Sequence, residues 1–160
     1  MLGMKKVILA ILFLIWPLTA HAWVAKVVSI SDGDTIRVFN ADRGQQKIRL
    51  YGVDAPEKWQ KHGDEARTHL VSLVSGSEVD VEPVSKDIYG NTVAIVRNQK
   101  INISQEMVRA GYAWVYRKYC DKPFCGAWFS LESEAKRKKI GLWQESDPVP
   151  PWMWRRMNCD

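Results

Sequence analysis

The 160-residue sequence has only three cysteines and three histidines, no internal repeat, and a single long apolar run that lies close to its first residue. A zinc centre needs paired Cys or His ligands at close spacing. Cys120 and Cys125 have no such second pair, because His62 and His69 stand seven residues apart and far upstream. The lack of a second apolar run leaves the chain from Trp23 onward without a candidate membrane span. Charge is lopsided only mildly, with 23 basic against 18 acidic side chains, so net charge alone does not establish a nucleic-acid partner.

The apolar run itself, Val7 to Leu18, is shorter than the roughly 18 to 20 residues of a spanning helix. Lys5-Lys6 precede it and the small-x-small triplet Ala20-His21-Ala22 follows, the pattern of an export signal cleaved after Ala22. An uncleaved N-terminal anchor is the alternative. Residues 1–22 are thus expected to be a signal peptide, and the mature protein periplasmic or secreted. Removing Lys5 and Lys6 with the leader leaves 138 residues with 21 bases and 18 acids, a net +3. That length suits one domain burying roughly two thirds of its unfolded surface. In an oxidising compartment Cys120 and Cys125 are expected to form a disulfide around Pro123, adding about 2 kcal/mol through chain entropy. Cys159 is left over.

Val24 to Ile30, Asp34 to Phe39 and Gln45 to Val53 are rich in β-branched and apolar residues broken by Gly and Asp, which predicts three antiparallel strands. Ala66, Leu70, Leu73 and Val74 recur at helical spacing and predict a helix over 63–74, stopped by Gly76. Alternation over Glu78 to Val84 and apolar residues over Thr92 to Val96 predict two more strands. Ser104 is the expected N-cap of a short helix closed by Gly111, with strand composition again at Tyr112 to Tyr116. A last helix is predicted from about Phe124 to Ile140, ending at Gly141, with Lys136-Arg137-Lys138-Lys139 set against its dipole. Residues 23–144 therefore read as one α+β domain built on a five-stranded OB-type barrel. Residues 145–160 hold Pro148, Pro150, Pro151, Trp152 and Trp154, composition that predicts an extended tail with its indoles packed on the domain.

Chemistry concentrates in Asp32-Gly33-Asp34-Thr35 and in Arg49-Leu50-Tyr51-Gly52-Val53-Asp54-Ala55-Pro56-Glu57. Period-two alternation puts Asp34 on the face of Ile36 and Val38, leaving Thr35 and Arg37 outward. A carboxylate at the rim of a core needs compensation, from an arginine or a hard cation. Arg49 and Asp54 are five positions apart, so a regular strand would send them to opposite faces. A break at Gly52, or before Pro56, is required for both to serve one site. His69 falls among core-facing helix residues and His62 in a loop, so structural or surface roles are expected for both, and Trp59 is the tryptophan near enough to Glu57 to meet a ligand.

These two segments, with Tyr89-Gly90 and the order of elements through Trp143, resemble the staphylococcal (micrococcal) nuclease family over nearly the whole mature chain. The resemblance implies an OB barrel with three helices and calcium-dependent hydrolysis of DNA and RNA. It makes Asp34 and Asp54 carboxylate ligands of Ca²⁺, and Ala55 a carbonyl ligand. Glu57 would position or deprotonate the attacking water, and Arg49 would bind phosphate. Tyr89 and Tyr119 fall near positions that contact bound nucleotide, or are ordinary half-buried tyrosines. No obligate protein partner is evident.

One departure stands out. The family pattern Asp-x-Tyr-Gly-Arg reads Asp87-Ile88-Tyr89-Gly90-Asn91 in this chain, so the second arginine is missing. Asn91 can donate a hydrogen bond but carries no charge. Lys86, Arg97 and Arg117 are the candidates for replacing it. The rival function is a catalytically weakened module that binds nucleic acid or a partner on the same surface.

Overall fold

Alternation of buried and exposed residues along the strands builds the core. In the computed structural model, which describes residues 22–158, the chain runs through β1 (Trp23–Ile30), β2 (Thr35–Asn40), β3 (Gly44–Leu50), β4 (Val53–Asp54), α1 (Gly63–Val74), β5 (Glu78–Lys86), β6 (Thr92–Asn98), β7 (Ile101–Asn102), α2 (Ile103–Arg109), β8 (Trp114–Val115), α3 (Cys125–Lys138) and α4 (Pro151–Met157). All but the final residue of the expected leader, and Cys159, lie outside the described residues.

Strands β3, β2, β1, β5 and β6 are antiparallel neighbours in that order, and a parallel pairing of β3 with β6, Leu50 opposite Ala94, closes the barrel. Ile36, Val38, Ile48, Leu50, Val81 and Ile95 fill the interior. α1 covers one end with Ala66, Leu70 and Val74 buried, the stripe read from the sequence. The fold is the expected α+β barrel.

Several local expectations fail for identifiable reasons. The N-cap of α2 is Asn102, whose side-chain oxygen accepts the Gln105 N–H at 3.2 Å, while Ser104 is buried inside the helix. Only Trp114–Val115 of the stretch 112–116 is strand, because β4 offers just two residues to pair with. α3 stops earlier than Gly141, at a left-handed Lys139 (φ 52°), and Gly141 opens a 3₁₀ turn. The tail is not extended beyond Pro150. Pro151 opens α4, where proline's fixed φ suits a first helical residue and its missing N–H has no partner to lose. The described residues therefore hold four α-helices.

The tail is fastened down. Trp152 stacks on Tyr116 (5.3 Å between centroids, 8° between planes) and meets Trp114 edge-on at 6.3 Å. The Gln60 side-chain amide donates to the Val149 carbonyl at 2.6 Å. Cys120 and Cys125 are joined by a disulfide.

Candidate active site

Barrel register brings the first two predicted groups together. Thr35 pairs with Arg49 across β2 and β3, and the Leu50 N–H donates to the Asp34 carbonyl at 2.8 Å. One Arg49 nitrogen, Nη2, therefore reaches Asp34 Oδ2 at 3.1 Å. The required change of direction occurs at Gly52, which has φ 73°. β4 then pairs antiparallel with β8, Asp54 opposite Trp114, and Asp54 Oδ1 accepts from the same Arg49 Nη2 at 2.7 Å. Asp34 (4 % exposed) and Asp54 (0 %) are both buried. Thr35 is buried rather than outward, because its hydroxyl donates to Asp34 Oδ1 at 2.8 Å. The Ala55 N–H donates to Asp34 Oδ2 at 3.1 Å.

Glu57 is held by the loop that leads into α1. Its N–H donates to the Gln60 side-chain oxygen at 3.1 Å and its carbonyl accepts the Gln60 N–H at 2.9 Å. Gly63 lets the chain pass so close that a Cβ there would lie 2.1 Å from the Glu57 carbonyl oxygen. The Glu57 carboxylate faces an arginine absent from the sequence expectations. Arg155 of α4 donates from Nη1 to Glu57 Oε1 at 2.5 Å and to Asp54 Oδ1 at 3.2 Å, and from Nη2 to Asp54 Oδ2 at 2.8 Å. The signal was faint: an Arg pair following Pro-Pro-Trp-Met-Trp in a segment read as extended.

Asp32 is the second omission. Its Oδ1 accepts the Asp34 N–H at 3.0 Å. Burial, reinforced by the Asp34 charge, pushes its carboxyl up to about 7. Burial likewise raises Asp54 to about 6, against the pull of the Arg155 hydrogen bonds. Arg49 is held more firmly protonated, chiefly by Asp34. For Arg155 burial works against the charge, but its bonds to Asp54 and Glu57 more than offset it.

A raised acid binds its proton more tightly in the folded state than in the unfolded one. Its contribution to stability is therefore lost as pH rises from about 4 toward the folded value. Asp32→Asn is expected to raise the melting temperature in chelator-containing buffer at pH 8 and to change it little at pH 4. An equal shift at both values would show that charge at Asp32 is not the cause.

Three carboxylates, those of Asp34, Asp54 and Glu57, thus share two guanidiniums, and a fourth, Asp32, accepts the Asp34 N–H without a guanidinium of its own. The imbalance and the all-oxygen donors match a hard divalent cation. Among the described residues no three His, Cys, Asp or Glu side chains converge as a ready cluster. A cation would take carboxylate oxygens of Asp34 and Asp54 and fill its shell from the Ala55 carbonyl and water.

The other predicted residues make no bond to these acids among the described residues. Asn91 donates its amide to Asp87 Oδ2 at 2.8 Å. None of the three proposed substitutes for the missing arginine reaches the acids: Lys86 donates to the Thr92 hydroxyl at 2.7 Å, Arg97 pairs with Glu82 at 2.8 Å, and Arg117 sits 4.2 Å over the Phe129 ring. Tyr89 (81 % exposed) points to solvent rather than half-burying, and Tyr119 sits edge-on to Tyr116. His69 packs against Tyr112 with the rings tilted by 34° and burial lowers its imidazole pKa, while His62 lies near Glu65 and Glu145, so neither takes part. Trp59 is exposed beside Glu57.

Comparison with known proteins points to a family. The family described as "Staphylococcal nuclease homologue" matches residues 47–145. An Escherichia coli protein named as an uncharacterized endonuclease is 41 % identical over 154 residues, covering 95 % of this chain and 98 % of its own. A like-named Haemophilus influenzae protein is 36 % identical over 156 residues, covering 95 % and 86 %. A micrococcal nuclease of Shigella flexneri is 39 % identical over 147 residues, covering 84 % and 83 %. With the matched segment carrying Arg49, Asp54 and Glu57 in the arrangement just described, the chain belongs to the staphylococcal nuclease homologue family.

Proposed function

We propose that this nuclease is a calcium-dependent endonuclease that acts outside the cytoplasm on DNA and RNA with little sequence preference. The observation that carries it is the convergence of Arg49 on two buried carboxylates, Asp34 and Asp54, with Glu57 joined to Asp54 through Arg155. Bound Ca²⁺ would polarise the phosphoryl group and orient the incoming water. Asp34 and Asp54 would hold it with the Ala55 carbonyl. Glu57, with a third of its side chain open to solvent, would accept the proton of the attacking water as that oxygen bonds to phosphorus and the opposite P–O bond breaks. Arg49 would bind non-bridging phosphate oxygens through the guanidinium donors it does not spend on the two acids.

Chemistry of this kind reads phosphate and not base edges, which fits weak sequence preference. Exposed Trp59 and Tyr89 are rings on which flexible single strands could stack. The leader pattern, together with the Cys120–Cys125 disulfide, supports export.

Purified protein is expected to degrade single-stranded DNA with Ca²⁺ and to stop in EDTA. Glu57→Gln should slow cleavage by about 10²- to 10⁴-fold. Undiminished cutting in the chelator would remove the metal from the reading. Tight oligonucleotide binding without cleavage at high protein concentration would favour a binding module instead.

A further inference from the structure

We infer that Arg155, delivered by the C-terminal tail, is the second phosphate-binding guanidinium of the active site, taking the role left open at Asn91. The inference rests on the nuclease reading above. It starts from placement. Arg49 and Arg155 both bond Asp54 Oδ1, at 2.7 and 3.2 Å, so two guanidiniums flank one carboxylate. Of the bases considered from sequence, Lys86, Arg97 and Arg117 are each engaged elsewhere.

The way Arg155 spends its donors matters as much as where it lies. It meets Asp54 end-on, through Nη1 and Nη2, and turns the other Nη1 hydrogen to Glu57. Among the described residues no acceptor meets its Nε–H or its second Nη2–H. Those two hydrogens are parallel and form the side-on fork that fits two oxygens of a phosphate. A third of the side chain (34 %) is open to solvent, so a phosphodiester can approach that edge while Asp54 and Glu57 keep the group oriented.

Nor is this a wandering surface ion pair. The segment leading to Arg155 is pinned twice, by Val149 bonded to Gln60, the residue that also positions Glu57, and by Trp152 of α4 stacked on Tyr116. One side chain therefore couples the tail to the loop bearing the general base. Held at fixed distance, a guanidinium requires no reorganisation when charge builds on the phosphate.

The competing role is a latch that blocks Asp54 and must leave for the site to work. Wild type, Arg155→Ala, Arg155→Lys and Arg155→Ala/Asn91→Arg would be compared in four measurements. These are single-turnover cleavage of single-stranded DNA in Ca²⁺, calorimetric affinity for a deoxynucleoside 5′-monophosphate in Ca²⁺ and in chelator, calorimetric Ca²⁺ affinity, and thermal melting.

Arg155→Ala should slow cleavage by about 10³-fold and weaken mononucleotide binding about tenfold or more in both buffers. Lysine should recover little, since it lacks the fork, and Asn91→Arg should recover part of both losses in the double variant. Arg155→Ala that cuts as fast as wild type or faster, with tighter Ca²⁺ binding, would establish the latch and overturn the inference. So would unchanged mononucleotide affinity. If melting shows Arg155→Ala to be unfolded, Arg155→Lys decides, and full activity there overturns it. A wild type that does not cut at all would instead defeat the calcium-nuclease reading, and mononucleotide binding would still report on Arg155.

Discussion

Replacing Arg49 by alanine is expected to cut single-turnover cleavage by about 10³- to 10⁵-fold, the range seen when a guanidinium that stabilises phosphoryl-transfer charge is removed. The same substitution acts on the fold. Asp34 would keep only the Thr35 hydroxyl and the Ala55 N–H, and Asp54 would retain Arg155. Stranding one acid of a fully buried pair costs about 3–5 kcal/mol. Here the loss should fall below that, because 30 % of the Arg49 side chain meets water. Arg49→Lys separates the two effects: it should restore most of the melting temperature and little of the rate. An Arg49→Ala protein that cuts within tenfold of wild type would remove Arg49 from the phosphate-binding role.

Gly52→Ala is expected to damage both the fold and the site through a single added methyl. The residue sits at φ 73°, where an L side chain costs about 1–2 kcal/mol. An added Cβ would also lie 2.8 Å from Cys120 Sγ and 3.0 Å from Trp128, a side chain that is itself fully buried. Overpacking of that kind adds about 1–3 kcal/mol. Because this turn carries the chain from Arg49 to Asp54, the loss should be accompanied by slower cleavage even where the protein is still folded. Chemical denaturation beside an activity assay on the folded fraction measures both. Loss of stability with full activity would show that the turn does not set the spacing of the two residues.

What could be read from the sequence was what repeats with a short period or sits in contiguous runs. Val79 and Val81 alternate with Glu78 and Asp80, and the strand is there. Asp34 shares parity with Ile36 and Val38, and it is buried. The parity conflict between Arg49 and Asp54 called for a break, and Gly52 supplies it. The cap of α2 was misplaced because Asn102 and Ser104 are both good capping residues, and only Asn102 reaches a free N–H. The tail was harder. Proline-rich composition argues for extension, but a proline at the first helical position is compatible with a helix, and stacking of Trp152 on Tyr116 decides between them. Arg155 lies 101 residues from Asp54 and 98 from Glu57, and no local pattern links positions so distant.

That separation gives the site a built-in order of arrival. Protein synthesis runs from the amino end, so Asp34, Arg49, Asp54 and Glu57 are all made, along with the strands that hold them, before the residues of α4 exist. An enzyme whose work is to break nucleic acid is assembled beside messenger RNA. On this arrangement Arg155 can join the acids only after α4 has been made, so a growing chain that stops short of it holds Asp54 and Glu57 without their shared guanidinium.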